Sequence, residues 1–140
     1  MQGDKNIAKV ERWLKENPLS KILLERSHLK PEILKTMLLF YWSQDATFEQ
    51  LSKELKIQRP GAWKRWNKGR DAIIRSFFTI ELAIYAGILD TEIAEILTQD
   101  LQDYVSLATS GGGLQELQSR IEERMISLMK IKRLPRPNVF

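Results

Sequence analysis

The chain of 140 residues has no cysteine, a single histidine, and no long apolar run. Without cysteine there is neither a disulfide framework nor a thiolate metal site, which fits a reducing compartment. His28 alone cannot supply a paired imidazole site, and in "SHL" it reads as a surface or capping residue. The longest apolar runs, "MLLFYW" and "LAIYAGIL", fall far short of the roughly 20 residues a membrane-spanning helix needs. The opening "MQGDKNIAKVERW" has no apolar core of a signal peptide. A soluble, cytoplasmic protein is expected. "GGG" at 111–113 lacks the lysine and hydroxyl of a phosphate-binding loop, and Glu122 and Glu123 are neighbours on one helix rather than convergent. No catalytic residue, metal ligand or cofactor is therefore assigned, and the chain does not read as an enzyme.

Basic side chains are missing from one long stretch. Residues 76–119 hold seven acids (Glu81, Asp90, Glu92, Glu95, Asp100, Asp103, Glu116) and no Lys or Arg. Just before it, residues 53–75 carry eight cations (Lys53, Lys56, Arg59, Lys64, Arg65, Lys68, Arg70, Arg75) against Glu54 and Asp71. Residues 1–52 are nearly balanced, and residues 120–140 turn basic again. The overall charge of +4 conceals this segregation, which suits a molecule with one face toward an anionic polymer and another toward protein. The 43% hydrophobic and 29% charged fractions are those of an ordinary globular chain, long enough for a real core.

No segment alternates with period two, whereas apolar residues recur three and four apart throughout, so the expected fold is all-α. The spacing predicts a helix over 4–15 with Ile7, Val10 and Leu14 inward. Asn17 and Pro18 then cap and open a short helix carrying Leu19, Ile22 and Leu23. Pro31 opens a third, with Leu34, Met37, Leu38 and Tyr41 inward. Thr47 and Gln50 form a capping-box pattern before Leu51 and Leu55. From Pro60 a stripe runs through Ala62, Trp66, Gly69, Ile73, Phe77, Ile80 and Ile84, on one long helix or on two broken near Thr79. Asp90 or Thr91 caps the next helix, with Ile93, Leu97, Leu101, Tyr104 and Ala108 inward. "TSGGG" at 109–113 is a flexible joint, followed by a last helix bearing Leu114, Leu117, Ile121, Met125 and Leu128. The expected organisation is a helical domain over 1–110, a helix over 114–130, and a basic tail over 131–140.

The stretch "IQRPGAWKRWNKGR" at 57–70 holds most of the positive charge and two tryptophans. If Ala62, Trp66, Gly69 and Ile73 face the core, the far side presents Lys64, Asn67, Lys68, Asp71 and Arg75. Gln58 and Arg59 then lie at the preceding turn, and Trp63 and Arg65 on the flanks. Trp66 reads as core, and Trp63 is open between packing and lying against a sugar–phosphate edge. A helix fits the major groove, where lysines and arginines neutralise phosphates and release counterions. Arg65, Lys64, Asn67 and Gln58 are side-chain types that pair with purine edges.

Residues 47–68 resemble a helix-turn-helix DNA-binding unit of the kind found in sigma-factor region 4. Leu51, Ser52 and Leu55 follow the order of its first helix, and Ile57 matches the apolar turn residue. Lys56 stands where a glycine is common, and Ala62 and Trp66 anchor the second helix. A second stretch, "DTEIAEIL" at 90–97, resembles another opening helix, but no basic helix follows it.

The resemblance implies a duplex-DNA-binding protein, a small transcription regulator, acting as a homodimer or higher homo-oligomer. The DNA contacts would be Gln58, Arg59, Trp63, Lys64, Arg65, Asn67, Lys68 and Arg75. Two alternatives share the layout: a DNA-packaging or partition accessory protein, and a protein-interaction module whose basic helix docks an acidic partner. The cations at the end of the chain (Lys130, Lys132, Arg133, Arg136) read as a solvated tail, a groove-binding arm or a contact to a neighbouring subunit.

Overall fold

The computed structural model describes residues 2–111 and 113–129. Among them the chain is all-α, with seven helices and no strand: α1 (Gln2–Glu16), α2 (Pro18–Arg26), α3 (Pro31–Tyr41), α4 (Phe48–Leu55), α5 (Arg59–Tyr85), α6 (Ile93–Thr109) and α7 (Leu114–Met129). They form two compact units, Met1–Ser76 and Phe77–Phe140. That division differs from the one expected, because α6 and α7, on either side of the expected joint, belong to the same unit. The tail expected over 131–140 lies outside the described residues. No described helix is long and apolar enough to cross a membrane.

The first unit is built around Val10, Leu39, Leu51 and Ala62, one residue each from α1, α3, α4 and α5. Ile7, Leu14, Leu38, Phe40, Trp42, Phe48, Leu55 and Ile57 close around this centre. The start of α2 forms as its sequence dictates. The Asn17 side chain accepts the Ser20 N–H at 2.8 Å, and Pro18 occupies the first turn, where its missing donor is harmless. Trp13 meets Trp42 edge-on at 5.6 Å, joining α1 to the end of α3. Tyr41, expected inward, is exposed. α3 instead buries Ile33, Thr36, Met37 and Leu39, so its inward stripe is rotated from the expected one.

In the second unit α6 and α7 form a hairpin around Ile93, Tyr104, Leu117 and Ile121. Arg124 on α7 donates to the buried Asp100 at 2.6 Å and to Asp103 at 3.1 Å, pinning the two helices across their middle. Burial, then the neighbouring Asp100, pushes the Tyr104 phenol up from its usual 10.0 to about 12. α6 begins from Glu92 with no side-chain cap bond from that residue, one or two positions after the expected Thr91 or Asp90. Of the α6 stripe, Ile93 and Tyr104 are buried, whereas Leu97 and Leu101 are exposed. On α7, Leu114 is likewise exposed while Leu117 and Ile121 are buried.

Candidate nucleic-acid interface

The candidate surface begins with the cap of α4. Thr47, with extended backbone, accepts the Gln50 N–H on its hydroxyl at 3.1 Å, satisfying one of the helix's orphan donors. α4 then buries Leu51 and Ser52, and the Ser52 hydroxyl turns back onto the Glu49 carbonyl at 2.6 Å. Small and internally hydrogen-bonded, Ser52 lets neighbouring backbone come close without leaving a buried hydroxyl unpaired.

The turn that follows is set by Lys56, which adopts the left-handed conformation (φ 57, ψ 43). Its N–H donates to the Lys53 carbonyl, and the Ile57 N–H reaches back to the Ser52 carbonyl at 3.0 Å. This is the Schellman ending of a helix. Ile57 then folds onto the first unit's core. α5 ends the same way, with Gly87 at φ 79 and the Ile88 N–H donating to the Ala83 carbonyl at 2.8 Å. One helix makes the turn with glycine and the other with lysine. The Lys56 side chain, exposed at this turn, therefore joins the cations around α5. The sequence places Lys56 among the cations of residues 53–75 and where a glycine is common, but not among the expected DNA contacts.

α5 starts at Arg59, one residue before the expected Pro60, and the Ala62 N–H donates to the Gln58 carbonyl at 3.1 Å. Three residues then fix its orientation. Ala62 is fully buried in the core. Trp66 packs with Phe40 (5.4 Å) and Phe48 (5.7 Å), and Arg70 lies over its ring at 5.4 Å. Gly69 is buried where α5 crosses α3. A β-carbon there would collide with Met37 and lie 3.0 Å from Ile33 Cγ2.

That orientation decides what the remaining residues present. Gln58, Arg59, Lys64 and Lys68 are exposed. Trp63 is 49% exposed, which removes it from the core. Lys64 and Lys68 are four apart, as are Trp63 and Asn67, so each pair shares a helix face. Arg65 and Asn67 are half-buried at the margins, leaving only part of each side chain free to reach a ligand. Arg75 is exposed but donates to Asp71 at 3.1 Å one turn back, so its charge is largely offset locally. The inward stripe also stops short: Ile73, expected inside, is exposed, as is Phe77.

The chain finds no match among protein-family models, curated proteins or solved structures. The reading of this surface rests on its own geometry and charge.

That charge is concentrated. The unit Met1–Ser76 carries sixteen Lys/Arg against nine Asp/Glu, whereas the rest of the chain carries six against nine. Across the first three turns of α5 and the turn before it, residues 56–68, there are five cations and no acid. A helix N-terminus adds its own partial positive charge at the same end. The sign and density of this charge are those that suit a polyanion.

Proposed function

We propose that this protein binds duplex DNA through α4, the Lys56 turn and α5, used as a helix-turn-helix, and acts in the cytoplasm as a small transcription regulator. The observation that carries the reading is the orientation of α5. With Ala62, Trp66 and Gly69 held inward, Lys64 and Lys68 share an exposed face that meets no acid before Asp71 and whose edge is the half-exposed Trp63. Lys64, Lys68, Arg59 and Lys56 engage phosphates, which supplies affinity without sequence information. Gln58 and the free part of Asn67 are the groups that read base edges, being of the type that pairs with adenine. Trp63 packs against sugar edges. Arg65 and Arg75 contribute less, one half-buried and the other paired with Asp71.

Fluorescence anisotropy on duplex DNA tests this directly. Lys64→Ala and Lys68→Ala each weaken binding at every sequence and lower the slope of log K against log salt by about one. Asn67→Ala leaves the slope in place and relaxes sequence preference. Absence of duplex binding by the folded protein at about 50–100 mM salt, where such contacts are strong, removes the proposal. The runner-up, an architectural or partition protein, draws support from the bare apolar surface of the second unit. It differs in showing no sequence preference for Asn67→Ala to lose.

A further inference from the structure

Between Arg70 and Ile88 not one residue is buried, although the sequence there is mostly apolar. Residues 77–89 read "FFTIELAIYAGIL", with Glu81 the only carboxylate and no cation. Phe77 and Phe78 are each 64% exposed, Leu82 66% and Tyr85 92%. On α6, Leu97, Leu101 and Val105 form a second exposed stripe at four-residue spacing, beside the buried line of Ile93, Asp100 and Tyr104. One unit thus carries two uncovered apolar surfaces, each two to three helical turns long. A helix with apolar residues on so much of its circumference is stable only when something covers it.

The chemistry of the surroundings narrows what that is. Residues 76–119 have no Lys or Arg, so the segment lacks the basic face with which amphipathic helices lie on anionic membranes. The same acids repel nucleic acid. A protein surface remains. The exposed parts of the aromatics on α5, with Leu82, Ile88 and the α6 stripe, amount to roughly 800 Å², which is what one partner gives to a stable interface. Among the described residues, the buried apolar side chains of this unit are only Leu89, Ile93, Tyr104, Leu117 and Ile121. A unit whose described residues leave more large apolar side chains bare than they bury needs its partner whenever it is folded. The one partner present at every synthesis is the chain itself. Two different bare surfaces on one unit also suit a two-fold pair, in which each copy offers both and receives both.

We propose that the second unit is completed by a second copy of this chain, the bare segment 77–88 of each copy covering the Leu97–Leu101–Val105 stripe of the other. This stands independently of the DNA reading, since none of these residues belongs to the basic surface, and it is tested without DNA.

Light scattering of the full chain gives twice the monomer mass, unchanged on dilution to micromolar concentration. Phe78→Glu combined with Leu82→Glu raises the dimer dissociation constant by about 100-fold or more while the helical circular-dichroism signal of the first unit persists. A milder pair guards against misfolding. With no native cysteine present, Leu82→Cys and Leu101→Cys in one chain form an intermolecular disulfide under mild oxidation, whereas neither single substitution does. A wild-type monomer at 100 µM overturns the proposal, as does a dimer that survives the double glutamate change. Self-cross-linking of Leu82→Cys alone, without the mixed disulfide, overturns the reciprocal arrangement.

Discussion

Lys56 holds a conformation that suits glycine. A side chain in the left-handed region costs about 1–2 kcal/mol, and Gly87 makes the equivalent turn at the end of α5 without that penalty. Lys56→Gly relieves the strain but gains chain freedom when unfolded, so the expected net gain is about 0.5–1 kcal/mol, read as a higher urea midpoint. Lys56→Ala keeps the β-carbon and leaves stability nearly unchanged. The two variants lose the same charge, so on the DNA-binding reading both lower the salt slope by about one. Retention of lysine at a strained position is then explained by contact rather than by folding. Gly69 presents the reverse case. Valine there drives into Met37 and Ile33, and overpacking of about 1–3 kcal/mol outweighs the improved helix propensity of about 0.5 kcal/mol. Gly69→Val is expected to lower the thermal midpoint, and Met37→Ala in the same chain to restore part of the loss.

Among the helices, the α6–α7 hairpin carries a pH-dependent element. The Tyr104 phenol, buried beside Asp100, has its pKa raised from 10.0 to about 12. The folded state therefore holds this proton more tightly than the unfolded state. The stability it contributes is complete below pH 10 and is lost as pH rises through about 12. Its hydroxyl makes no hydrogen bond in the structure, so Tyr104→Phe is expected to cost little at neutral pH. It should flatten the fall in urea midpoint between pH 10 and 12; an unchanged slope would place the alkaline loss elsewhere. The same helices show what a sequence reveals about elements. Asn17, Thr47 and Pro18 announce helix starts because capping is decided within four residues. Ala62, Trp66 and Gly69 were legible as one face because α1, α3 and α4 supply matching apolar residues. Ile73, Phe77, Leu97 and Leu101 have the same periodicity and are nevertheless exposed. Periodicity identifies an apolar face but is silent on whether the covering surface belongs to the same chain. Within the candidate site, the exposure of Lys64 and Lys68 followed from helical spacing alone. The half-burial of Arg65 and Asn67 depended on packing at the helix margins, and the Asp71–Arg75 pair on rotamers that spacing leaves open.

For the molecule as a whole, charge and apolar surface are partitioned between the two units. The first concentrates cations and covers its core, while the second is acidic and leaves aromatic residues bare. Such a partition suits two tasks, polyanion binding and assembly, which then become thermodynamically linked. On the two proposals taken together, a dimer brings two basic surfaces to one duplex, and the second engages at the high effective concentration set by the first. On a duplex long enough for both, the number of phosphates neutralised per particle is expected to be about twice that of a single copy, and so is the slope of log K against log salt. The variant with Phe78→Glu and Leu82→Glu is the monomeric reference, since it leaves Lys64, Lys68 and Arg59 intact. Anisotropy titrations between about 50 and 200 mM salt should give the variant half the wild-type slope, with the larger loss of affinity at low salt, where both surfaces of the dimer bind most tightly. Equal slopes would mean that only one basic surface of the pair meets DNA at a time, and assembly would then serve to present two separate duplexes rather than to grip one.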